Sequence, residues 1–197
     1  MIAATAIVHP NVRLGANVVI EDFCVIGAPF AGYAGEETVI GDDAIIRSHT
    51  VIYAGNRIGD GLRTGNKANV RELNTIGDRV SIGTLSIIEH HIVIEDDVRI
   101  HSQVFIPEYS ILKKSCWIGP GTVMTNARLP LHPDAKSLLR GPIIEQDAKV
   151  GAHCTLLPGV TIGARALVGA GSLVTRDIPP GMVAFGNPAR PRRKIDY

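Results

Sequence analysis

The sequence predicts an all-β fold: a parallel β-helix of hexapeptide repeats with two extruded loops and an irregular C-terminal cap. Three observations predict it. From Ile76 to Asn126 an aliphatic residue leads almost every block of six: Ile76, Ile82, Ile88, Ile94, Ile100, Ile106, Leu112, Ile118, then Met124. Such a period is neither that of a helix nor simple strand alternation, and a fixed short repeat is the signature of a solenoid. Fifth positions are mostly small or β-branched, as at Ala44, Thr50, Val80, Ser86, Val98, Val104, Thr122, Val160, Ala166 and Ser172. Between them lie turn residues such as Asp42-Asp43, Asp60-Gly61, Asp96-Asp97 and Pro120-Gly121.

Taken in order, the leaders are Ile2, Val8, Leu14, Ile20 and Ile26, then, after a break, Ile40, Ile46, Ile52, Ile58, Thr64 and Val70. After the central stretch and a second break come Ile144, Val150, Leu156, Ile162, Val168 and Val174. First and fifth positions point inward, and third and fourth positions make corners. Three blocks close a triangular coil, and coils stack as parallel strands ~4.8 Å apart. Each buried leader contributes on the order of 1.5–3 kcal/mol. A helical solenoid would need apolar residues three and four apart, a pattern that is absent. The β-helix spans 1–178, with loops at about 28–38 and 125–142 where the period breaks. Loops expelled from a regular solenoid carry function or contacts. The segment 179–197 leaves the repeat as an irregular, Pro- and Gly-rich cap, with room for a short helix after Pro191.

With 20 Lys+Arg against 19 Asp+Glu, the charge balance argues against a nucleic-acid or membrane-surface protein. Aromatics make up only 5%, so small and β-branched residues must fill the interior. No secretory pattern opens the chain and no apolar run approaches the ~20 residues of a membrane span, so a cytoplasmic location is expected. Cys24, Cys116 and Cys154 sit at inward fifth positions without CxxC spacing, which predicts buried thiols rather than a disulfide or metal set.

Residues 18 apart stack. Asn56 and Asn74, both inward, are expected to hydrogen-bond each other as a structural amide ladder. Glu72, His90, Glu108 and Asn126 form one third-position column, with Arg71, Glu89, Pro107 and Thr125 beside it. A carboxylate beside an imidazole orients it as a general base requires, and the same column also reads as a solvated, charge-paired corner. The column runs into the second loop, whose His132 is a rival base. His101 lies in a column with Gly65, Gly83 and Gly119, which predicts free space beside it for a substrate or another subunit. Gln103 is a corner residue two positions on. Trp117 ends an outward column of Arg63, Ser81 and Arg99, and either stacks a nucleotide base or lies in a subunit interface.

The run GPGTVMTN and the ending DIPPG…GNPAR resemble the hexapeptide-repeat N-acyltransferases of nucleotide-linked amino sugars. RTGNKANVRE resembles a stretch of that group that often reads RTGH, with Asn66 here in the place of the histidine. IHSQVFIPE resembles IHSNVYIPE, with Gln103 for an asparagine that helps position the sugar. The resemblance implies a left-handed β-helix, a homotrimer with active sites between subunits, and acetyl-CoA or another acyl-CoA as co-substrate. It also implies that Gly151, Gly169, Ala170 and Arg176 line the pantetheine and phosphates. Arg190 and the basic residues after it either meet CoA phosphates or form a solvated end.

Together these features predict acyl transfer from acyl-CoA to the amine of a nucleotide-linked aminodeoxysugar. The amine attacks the thioester directly, because no nucleophile stands in a recognisable setting. The catalytic candidates are His90, Glu108 and His132; the substrate-binding candidates are Glu72, Arg71, Glu89, His101, Gln103 and Asn126. Either His90 or the departing CoA sulfur takes the proton. O-acetylation of a hydroxyl and a non-catalytic scaffold are the alternatives. No metal is expected, since the His-x4-His pair of β-helical zinc carbonic anhydrases is missing.

Overall fold

A computed structural model describes residues 1–196. Tyr197, the last residue of the expected cap, lies outside the described residues. The chain is a left-handed parallel β-helix of triangular section. The first sheet has nine strands from Ile7–Val8 to Leu173–Val174, and the second has eight from Val12–Leu14 to Thr161–Ile162. The third has ten, from Val19–Ile20 through Leu167–Val168 to a C-terminal pair. Strand neighbours are one coil apart, as in Asn69↔Ile87 and Ile87↔Phe105.

The core is the column of leaders and fifth positions, from Ile20 to Val174. The exceptions among leaders are accommodated by specific contacts. Thr64 is 5% exposed and its hydroxyl accepts from the Arg47 N–H at 2.9 Å and meets the Thr50 hydroxyl at 3.2 Å. Met124 is fully buried. Cys24, Cys116 and Cys154 are free and buried, as the fifth position requires.

Fourth positions adopt the left-handed backbone conformation even without glycine: φ is 55° at Arg79, 56° at His91, 61° at Asp97 and 59° at Gln103. That conformation is strained for residues with a Cβ. At three of these four a bond to the coil before offsets it. Arg79 N–H donates to Asp60 O at 2.6 Å, Asp97 N–H to Asp78 O at 2.9 Å, and Gln103 N–H to Thr84 O at 2.8 Å.

The corner between the second and third sheets carries an aspartate ladder. Asp60 Oδ1 accepts the Asp42 N–H, Asp78 Oδ1 the Asp60 N–H, and Asp96 Oδ1 the Asp78 N–H, at 2.8–3.0 Å. The carboxylates fill the space in which a Cβ of Gly41, Gly59 or Gly77 would stand. The glycine stops where the ladder stops: Glu95 follows Ile94, the next coil offers Lys114, and Glu95 Oε2 accepts the Lys114 N–H at 2.9 Å.

The buried asparagines make a ladder of a different kind from the expected one. They bond backbone rather than each other's amides: Asn56 Oδ1 accepts the Asn74 N–H at 3.1 Å and Asn74 Oδ1 the Ile92 N–H at 2.7 Å. Both side-chain NH2 groups donate to Arg71 O at 2.8 Å. The amide thus replaces the inter-coil bond at each rung.

Both loops leave the prism where the period breaks. The second contains a short 3-10 turn, Ala135–Leu138, and is clipped at its base by Arg140 N–H to Asn126 O at 2.9 Å. The C-terminal segment caps the last coils as a β-hairpin, Met182–Gly186 against Ala189–Lys194. Its first strand extends the third sheet beside Leu167–Val168. The helix allowed after Pro191 is not formed; Pro191 to Lys194 belong to the outer strand. No helix among the described residues is long and apolar enough to cross a membrane.

Candidate active site

The corner between the first and second sheets gathers the charged third-position column. Strands Asn69–Val70, Ile87–Ile88, Phe105–Ile106 and Val123–Met124 deliver it in register. Arg71 donates from Nε and Nη2 to the Glu72 carboxylate at 2.8 and 2.9 Å, lies 3.6 Å from Glu89, and stacks 5.0 Å above the Tyr53 ring. Burial pushes the Glu72 carboxyl up, and the Arg71 pair outweighs it, so the group sits below the ordinary carboxylate range. Glu72 is therefore an anion held by arginine, and it also faces His90 electrostatically.

His90 Nε2 lies 3.4 Å from Glu108 Oε1, and Glu108 Oε2 accepts from Asn126 Nδ2 at 2.5 Å. The amide fixes the carboxylate, and the carboxylate faces the imidazole. The other ring nitrogen, His90 Nδ1, is 2.7 Å from His91 Nδ1. Glu108 can only accept when ionised, so the consistent tautomer puts a proton on His90 Nε2 and leaves Nδ1 as acceptor from His91. Nδ1 is then the lone pair that can take a proton. An incoming amine must replace the His91 N–H at that position. Tyr109 closes the outer side, its ring centroid 6.4 Å from His90 and 5.9 Å from His91.

His91, Tyr109 and Tyr53 were not among the candidates drawn from sequence. The 18-residue spacing reaches all three: Tyr53 precedes Arg71 in its column, and His91 and Tyr109 are one coil apart. Glu89, His90 and Glu108 also offer one ligand atom each within 4.8 Å, a set able to hold a metal ion beside a reading that expects none.

His132 sits apart from this cluster. It is exposed on the second loop beside Leu131, and its Nδ1 accepts the Asp134 N–H at 3.1 Å. The loop returns against the Tyr109–Ser110 corner, where a Cβ on Gly141 would meet Ser110 N at 2.3 Å. It thus meets this corner through Arg140, bonded to Asn126 O, and through Gly141.

His101 and Gln103 occupy a different edge, between the third and first sheets, because 11 residues separate His90 from His101 and only multiples of 18 share a corner. The glycines flanking His101 do not leave room beside it. A Cβ on Gly83 would meet His101 C at 2.3 Å and one on Gly119 would meet Ala152 N at 2.6 Å, so backbone fills that space. The His101 ring instead tilts against Trp117, with centroids 4.7 Å apart. Asn66 donates to Ser48 Oγ at 2.7 Å on the same edge.

Gly151, Gly169 and Ala170 share that edge in the later coils. Packing explains both glycines: a Cβ on Gly151 would meet Ala170 N at 2.5 Å, and one on Gly169 would meet Phe185 Cβ at 2.9 Å. Ala170 is exposed and Gly171 has open space around it, so the ridge has low relief there. Arg176 lies on the His90 edge, and Arg190 on the hairpin; both are exposed. One chain therefore separates the candidate residues onto two edges.

Residues 141–176 match the family described as bacterial transferase hexapeptide (six repeats). This is a hexapeptide-repeat chain. The bifunctional protein GlmU of Halalkalibacterium halodurans is 30% identical over 194 residues, covering 86% of this chain and 42% of that protein. The galactoside O-acetyltransferase of Lactococcus lactis is 34% identical over 126 residues, 61% of this chain and 55% of that protein. The chain thus spans about half the length of these curated relatives. Among solved structures, the Francisella novicida UDP-N-acetylglucosamine acyltransferase superposes with a TM-score of 0.83 at 18% identity, covering 98% of this chain and 70% of that one. At that identity the likeness concerns the hexapeptide-repeat fold.

Proposed function

We propose that this hexapeptide-repeat chain is an acyl-CoA-dependent N-acyltransferase, most simply an N-acetyltransferase, acting on the amine of a nucleotide-linked aminodeoxysugar. The observation that carries the proposal is the His90–Glu108–Asn126 relay beside the second loop, with His90 Nδ1 as an acceptor that His91 occupies until an amine replaces it. The amine attacks the thioester carbonyl while His90 takes its proton. The resulting imidazolium faces Glu108, the C–S bond breaks, and the proton passes to the departing CoA thiolate. Holding amine and thioester together supplies much of the acceleration, and a backbone N–H holds the oxyanion.

Direct attack is favoured by the cysteines. All three are buried, and burial pushes each thiol up, so none offers a thiolate nucleophile at neutral pH. The separation of the His90 edge from the His101–Gly151–Gly169 edge fits a homotrimer in which two neighbouring chains complete each site. The amino-sugar acceptor rests on the resemblance of RTGNKANVRE and IHSQVFIPE described above. O-acetylation is the second reading, favoured by the identity to a galactoside O-acetyltransferase.

The test is thiol release from acetyl-CoA against a panel of nucleotide-linked 3-amino and 4-amino sugars, with galactosides alongside. Release with at least one amine, unchanged by chelator, is expected. Release with galactosides alone moves the assignment to O-transfer, and release with none removes enzymatic acyl transfer to these acceptors.

A further inference from the structure

The outer face of the third sheet holds a site that the mechanism leaves unused. Register places Arg63, Ser81, Arg99 and Trp117 on consecutive rungs, side chains outward. An open groove of about 690 Å³ runs along this face, with Arg63, Ser81, Gly83, Arg99 and His101 in its lining. Most arginines near carboxylates in this chain are neutralised: Arg13 by Glu37, Arg47 by Glu21, Arg71 by Glu72, and Arg79 by Asp97 at 2.7 and 3.0 Å. Arg79 also borders the groove, but Asp97 already holds it. Among the described residues, the guanidinium groups of Arg63 and Arg99 have no hydrogen-bond or ion-pair partner.

Two unneutralised guanidinium groups therefore flank one hydroxyl, a coil to either side, ~4.8 Å per coil. The chain's single tryptophan stands on the next rung. Planar guanidinium forks match phosphate oxygens, and an indole stacks the π-face of any base. We infer that this groove binds a nucleoside diphosphate, with the phosphates between Arg63 and Arg99 over Ser81 and the base reaching past the groove's His101 end onto Trp117, whose ring centroid lies 4.7 Å from that of His101. Phosphate chemistry is preferred to a carboxylate partner because two arginines line one groove on either side of a small rung, and a diphosphate offers several oxygens to reach both. The inference deepens the proposed function and rests on its nucleotide-linked acceptor, although the adenosine diphosphate of CoA carries the same chemistry.

Because Trp117 is the only indole, its fluorescence reports the site. The intact protein is titrated with UDP, with GDP and with CoA at two salt concentrations. A saturable quench that weakens with salt is expected from at least one ligand. Quenching by UDP or GDP assigns the groove to the acceptor, and quenching by CoA alone assigns it to the donor. Arg63→Gln and Arg99→Gln should each raise Kd about 10-fold, as losing a charge-assisted hydrogen bond implies, and Ser81→Ala should raise it less. The inference is overturned by no quench with any of the three ligands, or by wild-type Kd in both arginine variants. It is equally overturned if those variants instead lose a subunit in sedimentation, which would make the face an interface. If UDP binds but no amino sugar is acylated, only the proposed function falls. If acylation proceeds and both variants keep the wild-type KM for the sugar nucleotide, only this inference falls.

Discussion

The corner after the second sheet and the corner after the first both stack acidic third-position residues, one coil apart in the former and two coils apart around His90 in the latter, yet they are built for opposite ends. In the aspartate corner each carboxylate is short enough to reach back to a backbone N–H, so Asp60, Asp78 and Asp96 spend their acceptors on the preceding coil. In the His90 corner the longer glutamates pass the backbone and meet side chains: Glu72 meets Arg71, and Glu108 meets His90 and Asn126. One corner thus ties its carboxylates to backbone, and the other ties them to side chains. The aspartate corner also demands glycine at the preceding position, whereas the His90 corner carries Arg71, Glu89, Pro107 and Thr125 there. Freedom from backbone duty is what lets the Glu108 carboxylate of the second corner face an imidazole.

The largest expected effect breaks the reactive side of that comparison. His90→Ala should lower kcat by ~10²–10⁴-fold, the range for a positioned general base, with the melting temperature nearly unchanged because His90 makes no backbone bond. Glu108→Gln keeps the Asn126 contact but removes the charge facing His90, so a smaller loss and an altered pH profile are expected. Steady-state kinetics across pH with the sugar nucleotide decides. Near-normal turnover in His90→Ala would transfer the proton-accepting role to the departing thiolate.

The second effect tests the structural side. A Cβ on Gly59 would stand 2.2 Å from Asp78 Oδ1 and 2.9 Å from Gly77 C. Gly59→Ala should destabilise by ~1–3 kcal/mol, as overpacking does, while folded enzyme keeps its kcat. Adding Asp78→Ala removes the nearer clash and leaves the backbone contact, so the pair should recover part of the loss in a double-mutant cycle. Strict additivity in chemical denaturation would mean the ladder does not dictate the glycine.

The period made most of this architecture legible, because every buried leader and every inward fifth position must recur for coils to stack. Stacking also made the Glu72–His90–Glu108–Asn126 column legible before any coordinates. What escaped had physical reasons. His91 and Tyr109 sit at fourth positions, where Leu73, Arg79, Asp97, Gln103 and Ser115 adopt the same left-handed backbone, so residue type there carries little pattern. The glycines beside His101 read as space, but glycine in this repeat marks where the next coil's atoms intrude. The hairpin from Met182 to Lys194 follows no hexad period; its first strand takes its register from Leu167–Val168 and its turn from Gly186–Ala189. Pro and Gly signalled departure from the repeat without signalling the strands that follow.

The smallest expected effect joins the two corners through pH. Glu72 is nearly buried and its carboxyl is held below the ordinary range despite burial, chiefly by Arg71. A depressed folded pKa means the pair contributes stability above the unfolded carboxylate value, about 4.3, and loses it as pH falls through the folded pKa. Glu72→Gln should therefore lower stability at pH 7, and the gap to wild type should stay constant down to about pH 5 and then close on acidification. Arg71 is 34% exposed, so the gap is discounted for screening to about 1 kcal/mol or less. Asp97, paired with Arg79 at the exposed corner and likewise held low by it, should show the same sign with a smaller gap in Asp97→Asn. Thermal melts from pH 3 to 8 compare the two. A gap that widens on acidification would place the protonated form of Glu72 in the fold and remove the anion from the His90 corner.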